Sequence, residues 1–428
     1  MSPAGVLFAT FAVLMLLGSP ITVALGVAAM AALYTVDQNL VTLVQIAFTS
    51  VNSFPIMALP AFMLVGALME CAGISRRLVA IAENIVGPIP GGLAVSTALA
   101  CVFFGAISGS GPATTAAVGM LMIPAMIRRG FSKGYAAAAA ATAGGVGIII
   151  PPSIPMVVYA VSGQQSITKM FLAGVMPGIM IAVGLAAMHL FLCRNMPVAE
   201  DLQSGSGDSL LKALKDGLWS LMAPVVILGG IYAGICTPVE ASVVAVWYAL
   251  FVGFFITKKL SLKEVFNAMK LANISTGTIL IVVGVSTIFG RFLTMYQIPQ
   301  QLAAQMMLYT TNPILILLLI AALLFFLGMF METLATIVVL APVFLPIIKS
   351  VGIDPVFFGV FWVITNEIAL LTPPLGVNLF IAMNLSNLPL ERVAKGACPY
   401  IFLLILVVFF LIFFPDVVTF LPKALGMY

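Results

Sequence analysis

The stretch that opens with Ser108-Gly-Ser-Gly-Pro-Ala-Thr114 and continues to Tyr159 decides the fold, because a related stretch follows 222 positions later without a gap. The matching pairs are Pro124 and Pro346, Gly130 and Gly352, Pro151-Pro152 and Pro373-Pro374, and Ala113-Thr114 and Ala335-Thr336. This offset is about half of the 428 residues, so the pattern predicts two related halves. Each half contains one apolar segment interrupted by small and polar residues and another interrupted by Gly and Pro. In membrane proteins, such paired interruptions indicate an ion and substrate site.

The composition is that of a polytopic helical membrane protein. The chain is 62% hydrophobic and 7% charged, with a mean hydropathy of +1.22, and no soluble domain has such values. Its apolar runs are continuous, whereas the strands of outer-membrane barrels alternate apolar and polar residues. Basic residues are scattered and the net charge is only +4, so we expect no nucleic-acid partner. The five cysteines lie far apart, which predicts neither a transition-metal site nor a disulfide framework.

In the first half, the sequence predicts two paired apolar runs, an interfacial helix, two spans, a hairpin and a broken helix. Its segments are apolar runs 4–17 and 20–34, an interfacial helix 37–50, a span 55–74, a re-entrant hairpin 88–127, a broken helix 135–162 and a span 171–192. The arms of the hairpin are each too short for a full crossing, which takes about 20 residues. We therefore place the hairpin tip at 108–112 and the break of the following helix at 144–153.

The second half repeats this plan after a polar linker, 196–216. Its segments are paired runs 221–235 and 239–256, an interfacial helix 261–271, a span 274–295, a hairpin 313–348, a broken helix 355–383 and a final span 399–420. The second tip is Gly328-Met-Phe-Met-Glu-Thr333. We expect the second broken helix to be interrupted at Asn366-Glu367 and again at Thr372-Pro-Pro374.

The basic residues predict which side of the membrane each loop faces. When Arg76 and Arg77 are placed in the cytoplasm and the crossings are followed, 14 of the 18 basic residues fall on that side. The exceptions are Lys169, Arg291, Lys349 and Lys423. This bias satisfies the positive-inside rule and predicts a multi-pass protein of the bacterial inner membrane with both termini in the periplasm. It also predicts that the two repeats have inverted topology.

Two hairpin tips and two breaks place backbone and hydroxyl oxygens at membrane depth, where such oxygens suit Na⁺. The predicted sodium ligands are Ser108, Ser110, Gly111, Thr114, Gly144, Gly145, Gly147, Gly328, Thr333, Thr336, Asn366 and Thr372. The predicted substrate-binding residues are Ser110, Ser153, Glu332, Asn378 and Arg291. Glu332 and Glu367 stand out because a carboxylate inside a membrane span is costly and is usually functional. Each feature also has a plainer interpretation: small residues pack helices, Pro pairs kink them, and Arg291 can snorkel to the interface.

With these motifs assembled, the chain resembles the DctM-like and SiaM-like large membrane subunits of tripartite ATP-independent periplasmic (TRAP) transporters. The matching stretches span nearly the whole chain in the order of the family. They are Ser108-Gly-Ser-Gly-Pro-Ala-Thr-Thr-Ala-Ala-Val-Gly119, Ile149-Ile-Pro-Pro-Ser153, Gly230-Ile-Tyr-Ala-Gly-Ile-Cys-Thr-Pro-Val-Glu240, Gly352-Ile-Asp-Pro355 and Leu371-Thr-Pro-Pro-Leu-Gly-Val-Asn-Leu-Phe380. The family more often has Asp at the position of Glu332, which leaves the role of this residue open.

The resemblance implies an elevator-type, Na⁺-coupled importer of an organic acid anion, without a cofactor. It implies two partners: a small four-helix membrane subunit and a periplasmic substrate-binding protein, both expected as separate chains. A moving transport domain would comprise 55–195 and 274–398, minus some supporting elements. The remaining predicted parts are the scaffold 1–54, the cytoplasmic linker 196–216, the second scaffold segment 217–273 and the C-terminal helix 399–428.

Three other functions were weighed against this one. A stand-alone Na⁺/dicarboxylate symporter of the divalent-anion type would also contain inverted hairpins, and it remains the alternative. A permease of the ABC type would dock an ATPase, but inverted re-entrant repeats are not its expected architecture. An intramembrane hydrolase would use Ser108 or Ser110 as nucleophile, but the single histidine, His189, is far away in sequence and no paired Asp catalysts accompany it. We therefore expect a transporter and no enzyme activity.

Overall fold

The computed structural model describes residues 3–36, 41–87, 89–194 and 210–427, and these are helical with short connections. Helices are expected for continuous apolar runs because in lipid every backbone polar group must find its partner within the segment. Seven of the described helices are long and apolar enough to cross a membrane. They are Phe54–Cys71, Ile167–Cys193, Leu210–Tyr232, Pro238–Ile256, Leu262–Met295, Thr333–Ser350 and Leu390–Phe413. The predicted all-α polytopic membrane fold is confirmed.

The first half contains ten α-helices in its described residues. They are α1 (Pro3–Leu16), α2 (Ile21–Tyr34), α3 (Val41–Val51), α4 (Ala58–Cys71), α5 (Ile74–Val86), α6 (Gly92–Ser108), α7 (Gly111–Arg128), α8 (Lys133–Gly145), α9 (Ile154–Ser162) and α10 (Ile167–Cys193). Helices α6 and α7 form the first hairpin, with its tip at 109–110. Helices α8 and α9 are the two parts of the first broken helix, separated by a 3-10 turn at Val146–Ile148 and a non-helical segment at 149–153.

The second half contains another ten α-helices in its described residues. They are α11 (Leu210–Tyr232), α12 (Pro238–Phe251), α13 (Leu262–Met295), α14 (Ile298–Tyr309), α15 (Pro313–Gly328), α16 (Thr333–Ser350), α17 (Pro355–Leu370), α18 (Val377–Ser386), α19 (Leu390–Phe413) and α20 (Asp416–Ala424). Helices α15 and α16 form the second hairpin, and α17 and α18 form the second broken helix. The tips and breaks thus recur in the order that the sequence repeat predicts.

The largest buried side chains join the two halves near the broken helices. Trp362 on α17 is fully buried, as is Tyr159 on α9, and their rings meet edge to face at 6.0 Å. The Tyr159 hydroxyl donates a 2.8 Å hydrogen bond to the Pro355 carbonyl. Gly359 on α17 lies against the Tyr159 ring, where any Cβ would collide. The core of the protein therefore packs one broken helix against the other.

Four segments differ from the sequence predictions. The helix α17 runs without interruption through Asn366 and Glu367, so the predicted break at these residues is wrong; the break lies only at 371–376. The predicted interfacial helix 261–271 and span 274–295 form the single helix α13, since no helix-breaking residue separates them. The helices α5 and α14 were not predicted. Of the predicted linker 196–216, residues 196–209 lie outside the described part, and 210–216 belong to α11.

Candidate functional site: two hairpin tips against two broken helices

The first hairpin tip is bonded to the first break. Gly109 adopts a φ of 60°, and a Cβ there would lie only 2.5 Å from the Pro152 carbonyl oxygen, so the position requires glycine. The Gly109 carbonyl accepts a 3.2 Å hydrogen bond from the Ile154 amide. The tip is braced internally by Thr114, whose hydroxyl donates to the Ser110 carbonyl at 2.7 Å and lies 2.9 Å from Ser108 Oγ. The tip and the break therefore form one unit.

Both segments of this unit begin helices with a serine cap. The Ser110 side chain accepts a hydrogen bond from the Ala113 amide at the start of α7. Ser153 caps α9 in the same way, by accepting from the Met156 amide, and its hydroxyl also donates to the Ile148 carbonyl. Such caps satisfy amides that the first helical turn leaves unpaired.

The glycines at the end of α8 and in the first break make room for side chains from two other helices, α7 and α17. A Cβ on Gly144 would overlap the Thr115 hydroxyl, and a Cβ on Gly147 would overlap the Thr114 hydroxyl. A Cβ on Gly145 would overlap the carboxylate of Glu367, which belongs to the other half of the chain. The small residues thus place the break in direct contact with polar oxygens.

The second tip and break are joined in the same manner. The Leu375 amide in the break donates a 3.0 Å hydrogen bond to the Met329 carbonyl in the tip. The Thr336 hydroxyl donates to the Thr333 carbonyl at 2.8 Å and accepts from Asn366 Nδ2 at 2.6 Å. Gly328 lies against Ala369, where a Cβ would be 2.6 Å from the alanine methyl group. The Thr372 hydroxyl donates to the Ile368 carbonyl at 2.8 Å and closes the last turn of α17.

Glu367 and Asn378 connect the two units. Asn378 Nδ2 donates a 3.2 Å hydrogen bond to Glu367 Oε1, and both residues are fully buried. Gly111, at the first tip, lies against Asn378: a Cβ there would be 3.4 Å from Nδ2. Both breaks and the first tip therefore meet at one buried junction.

Several buried oxygens of the junction, its neighbouring residues and the second tip lack a hydrogen-bond partner within the described residues. These buried atoms are Thr115 Oγ1, Thr333 Oγ1, Asn366 Oδ1, Glu367 Oε2 and Asn378 Oδ1. An unpaired buried acceptor costs about 1–3 kcal/mol, and carboxylate, amide and hydroxyl oxygens are the donors that hard cations take. The donor set of the junction therefore fits an alkali cation.

A cavity of about 540 Å³ opens between the two tips. Its wall includes Ser110 from the first tip and Glu332 and Thr333 from the second, with apolar side chains between them. Glu332 occupies the cap position of α16 without a side-chain cap bond, and it is the single ionisable residue among those that line the cavity. The helices α7 and α16 both begin at this cavity, so their positive ends face it.

The structure divides the predicted site residues into three groups. Ser108, Ser110, Gly111, Thr114, Gly144, Gly145, Gly147 and Ser153 belong to the first tip and break, whereas Gly328, Glu332, Thr333, Thr336, Asn366 and Thr372 belong to the second. Asn378 lies at the junction and, like Ser153, is outside the cavity wall. Arg291 is separated from the rest, because it lines a different cavity together with Lys349.

Two features of the site were not predicted. Thr115 faces Gly144 at the junction, and Ser275 and Thr278 on α13 line the 540 Å³ cavity. The signal for the first is the Thr-Thr pair that follows the tip. The signal for the second is the cluster of hydroxyl residues in an otherwise apolar span. A search of the sequence for polar residues that share one face of a predicted helix would have found both features.

The fold is that of a multi-pass membrane protein, and its site, formed by two hairpin tips against two broken helices, is typical of transporters. Comparison with known families identifies it further: residues 8–417 match the family described as "Tripartite ATP-independent periplasmic transporter, DctM component". The chain belongs to this family, which confirms the resemblance seen in its motifs.

The relatives are named as permeases of such systems. The isethionate TRAP transporter permease protein DctMQ of Oleidesulfovibrio alaskensis is 41% identical over 98% of this chain, which spans 66% of that protein's length. The C4-dicarboxylate TRAP transporter large permease protein DctM of Pseudomonas aeruginosa is 37% identical over 89% of both chains. The sialic acid large permease SiaM of Vibrio cholerae is 34% identical over 87% of both.

A solved structure has a similar fold. The YdaH transporter of Alcanivorax borkumensis superposes with a TM-score of 0.66 over 96% of this chain and 98% of that chain, at 15% sequence identity. At this identity the likeness concerns the fold alone.

Proposed function

We propose that this chain imports an organic acid anion across the bacterial inner membrane by Na⁺ symport, as the large permease subunit of a TRAP transporter. The family membership supports the transporter class. The observation that carries the finer proposal is the junction of unpaired oxygens directly beside a cavity that both hairpin tips line. An ion at the junction would stabilise both tips, and the tips would then form the substrate site.

The coupling ion is assigned to the junction because its oxygens come from both halves. Glu367 and Asn366 supply them from α17, and Thr115 supplies one from α7. A cation there would offset the cost of burying the Glu367 carboxylate. Each positive charge that moves inward gains about 2.3 kcal/mol per 100 mV of membrane potential, which would drive accumulation of the anion.

The substrate is assigned to the 540 Å³ cavity. The amino ends of α7 and α16 favour an anionic group there, and the apolar wall suits a short carbon skeleton. Glu332 accepts hydrogen bonds when ionised, so a substrate with a hydroxyl or another donor group fits it. Isethionate, sialic acid and C4-dicarboxylates are the substrates that the relatives' names give, and compounds of this kind are the ones to test.

The transport movement is proposed to be of the elevator type. In this proposal the units 55–195 and 274–398, minus supporting elements, move together, and the paired helices of 1–54 and 217–273 remain as the scaffold. The hydrogen bonds between each tip and its break, and the contact of Gly145 with Glu367, support movement of these elements as one body. A small membrane subunit and a periplasmic binding protein would complete the system.

Uptake into proteoliposomes tests this function. The vesicles contain this chain and its small partner, the binding protein is added outside, and succinate, isethionate and sialic acid are offered in turn. We expect accumulation under an inward Na⁺ gradient and none under an equal K⁺ gradient. Uptake that requires ATP would contradict the proposal. Uptake without the binding protein would instead indicate a stand-alone Na⁺/dicarboxylate symporter.

Two substitutions test the site itself. Ser110→Ala and Glu332→Ala are expected to abolish uptake while expression and membrane insertion continue. Because Ser110 also caps α7, Ser166→Ala is the matched control: Ser166 caps α10 by accepting from the Lys169 amide, away from the cavity. Normal uptake by both site variants would refute the assignment of the cavity.

A further inference from the structure

A second cavity, of about 470 Å³, lies beside the first and contains basic residues. Its wall includes Arg291 from α13 and Lys349 from α16. The other polar residues of the wall are six hydroxyl residues and one amide: Thr49, Ser50, Ser53, Ser162, Thr287, Thr294 and Gln164. Among the described residues, no carboxylate lines it. It differs in this respect from the 540 Å³ cavity between the tips, called the central cavity below, where Glu332 is the one ionisable residue of the described lining.

The two cavities are arranged along the same three helices. The helix α9 begins at the central cavity with Ile154 and ends at the basic cavity with Ser162. Eight residues separate these positions, and at 1.5 Å per residue they correspond to about 12 Å.

The other two helices run in the same order. The helix α16 passes from Thr333 at the central cavity to Lys349 at the basic one, and α13 passes from Thr278 to Arg291. Both cavities therefore lie along α9, α13 and α16, one after the other.

The charges of the basic cavity are uncompensated within the described residues. Arg291 and Lys349 form no ion pair or side-chain hydrogen bond there, and both side chains are exposed. The Ser53 hydroxyl is a buried atom in the wall and also lacks a partner. An anion that accepts hydrogen bonds would neutralise the two positive charges and would also pair with the Ser53 hydroxyl.

We propose that the basic cavity is a second anion site, which binds the carboxylate or sulfonate of the transported acid outside the central cavity. The identity of this anion rests on the proposed function. Arg291 and Lys349 attract the anion, and the Ser53 hydroxyl donates to it. Along α9, this site and the central one are separated by about two turns of helix.

Cysteine modification tests the site without transport. Ser162→Cys places a thiol in the cavity wall, and the protein is labelled in phosphatidylcholine nanodiscs with 2-sulfonatoethyl methanethiosulfonate or its trimethylammonium analogue. Mass spectrometry of the peptide gives each rate. The ratio of the sulfonate rate to the ammonium rate is expected to fall about tenfold in R291Q/K349Q, because two cations concentrate an anionic reagent locally. Thr311→Cys, an exposed position in the connection before α15 and outside both cavities, is introduced together with Ser162→Cys as the internal control, and its ratio should not change.

Protection by a soluble anion tests binding. Millimolar succinate or isethionate should slow modification of Ser162→Cys at least about fivefold when both cations are present, and should have no effect in R291Q/K349Q. Where Ser162→Cys lowers the yield, Thr49→Cys on the facing segment repeats the measurement. Equal rate ratios in the two backgrounds would overturn the proposal, as would the absence of protection.

An anionic lipid headgroup has the same chemistry, so the labelling is repeated in phosphatidylglycerol nanodiscs. Protection by phosphatidylglycerol but not by succinate or isethionate would assign the cavity to lipid and overturn the proposal. The experiment requires no Na⁺ gradient, partner subunit or binding protein. Failure of Na⁺-driven uptake with successful protection would therefore refute the proposed function and leave the second anion site intact.

Discussion

The two broken helices differ in the side chains at two pairs of corresponding positions. Positions 144 and 145 of the first half are glycines, and their counterparts 222 residues later are Asn366 and Glu367. The first broken helix supplies space and backbone at these positions, whereas the second supplies an amide and a carboxylate from within α17. Glu367 lies directly against Gly145, its own counterpart.

This contact shows how an internal repeat can form an asymmetric site. Equivalent positions that touch must lie close to the axis relating the two halves, and two large side chains cannot occupy that place together. Glycine in one half therefore allows a carboxylate in the other. The unpaired oxygens on long polar side chains all belong to the second half of the chain: Asn366 Oδ1, Glu367 Oε2 and Asn378 Oδ1.

The largest effect on uptake is expected when a side chain is added at Gly145, where the Glu367 carboxylate occupies the space. Gly145→Ala would place a methyl group in the Glu367 carboxylate, and overpacking of this kind costs typically about 1–3 kcal/mol. We expect uptake to fall below one tenth and thermal stability in detergent to decrease, as measured by proteoliposome flux and by unfolding midpoint. The matched control is Gly277→Ala, since nothing lies within 4 Å of a Cβ at Gly277. Wild-type uptake by Gly145→Ala would contradict the inference that position 145 must be glycine to make room for Glu367.

The next effect concerns the negative charge of Glu367, which only the second broken helix carries. Glu367→Gln keeps the shape of the side chain and removes its negative charge. If the junction binds Na⁺, the Na⁺ concentration for half-maximal uptake should rise about tenfold, equivalent to ~1.4 kcal/mol. The KM for the organic acid at saturating Na⁺ should change much less. An unchanged Na⁺ dependence would exclude Glu367 from the ion site.

A smaller effect is expected on stability, and it differs between Thr114 and Thr336, which occupy corresponding positions in the two halves. Thr114 braces its own tip, whereas Thr336 joins its tip to Asn366 on α17. Thr336→Val leaves the buried Asn366 amide without a partner and should cost about 1–3 kcal/mol. Thr114→Val removes a hydroxyl from the Ser110 carbonyl, which still accepts a 3.0 Å hydrogen bond from the amide of residue 114, and should cost less. Unfolding midpoints of the two variants in detergent test this order; the reverse order would mean that the first tip is the more tightly organised.

The smallest effect concerns the second parts of the broken helices. Ser153 caps α9, whereas its counterpart is Leu375, and α18 begins without a side-chain cap. Ser153→Ala should cost about 1 kcal/mol of stability with little change in KM, because Ser153 lies outside the cavity wall. A rise in KM at unchanged stability would instead support the predicted substrate-binding role of this residue.

The sequence by itself determined the membrane class, the family, the two hairpins and the Pro-Pro breaks. These features depend on local physics: apolar runs form helices in lipid, and Gly and Pro interrupt them at the positions they occupy. The motifs around Ser108 and Pro151 therefore predicted both tips and both main breaks. Membrane sidedness, the coupling ion and the domain boundaries remain predictions.

Only the tertiary structure decided which of these residues meet. It placed Glu367 against Gly145, kept α17 helical through Asn366, and put Arg291 with Lys349 in a separate cavity. Neither Asn366 nor Glu367 removes a backbone donor, so α17 continues through them, and the Asn366 side chain bonds to Thr336 thirty residues away. Such partners depend on how distant segments pack, and no local pattern contains that information.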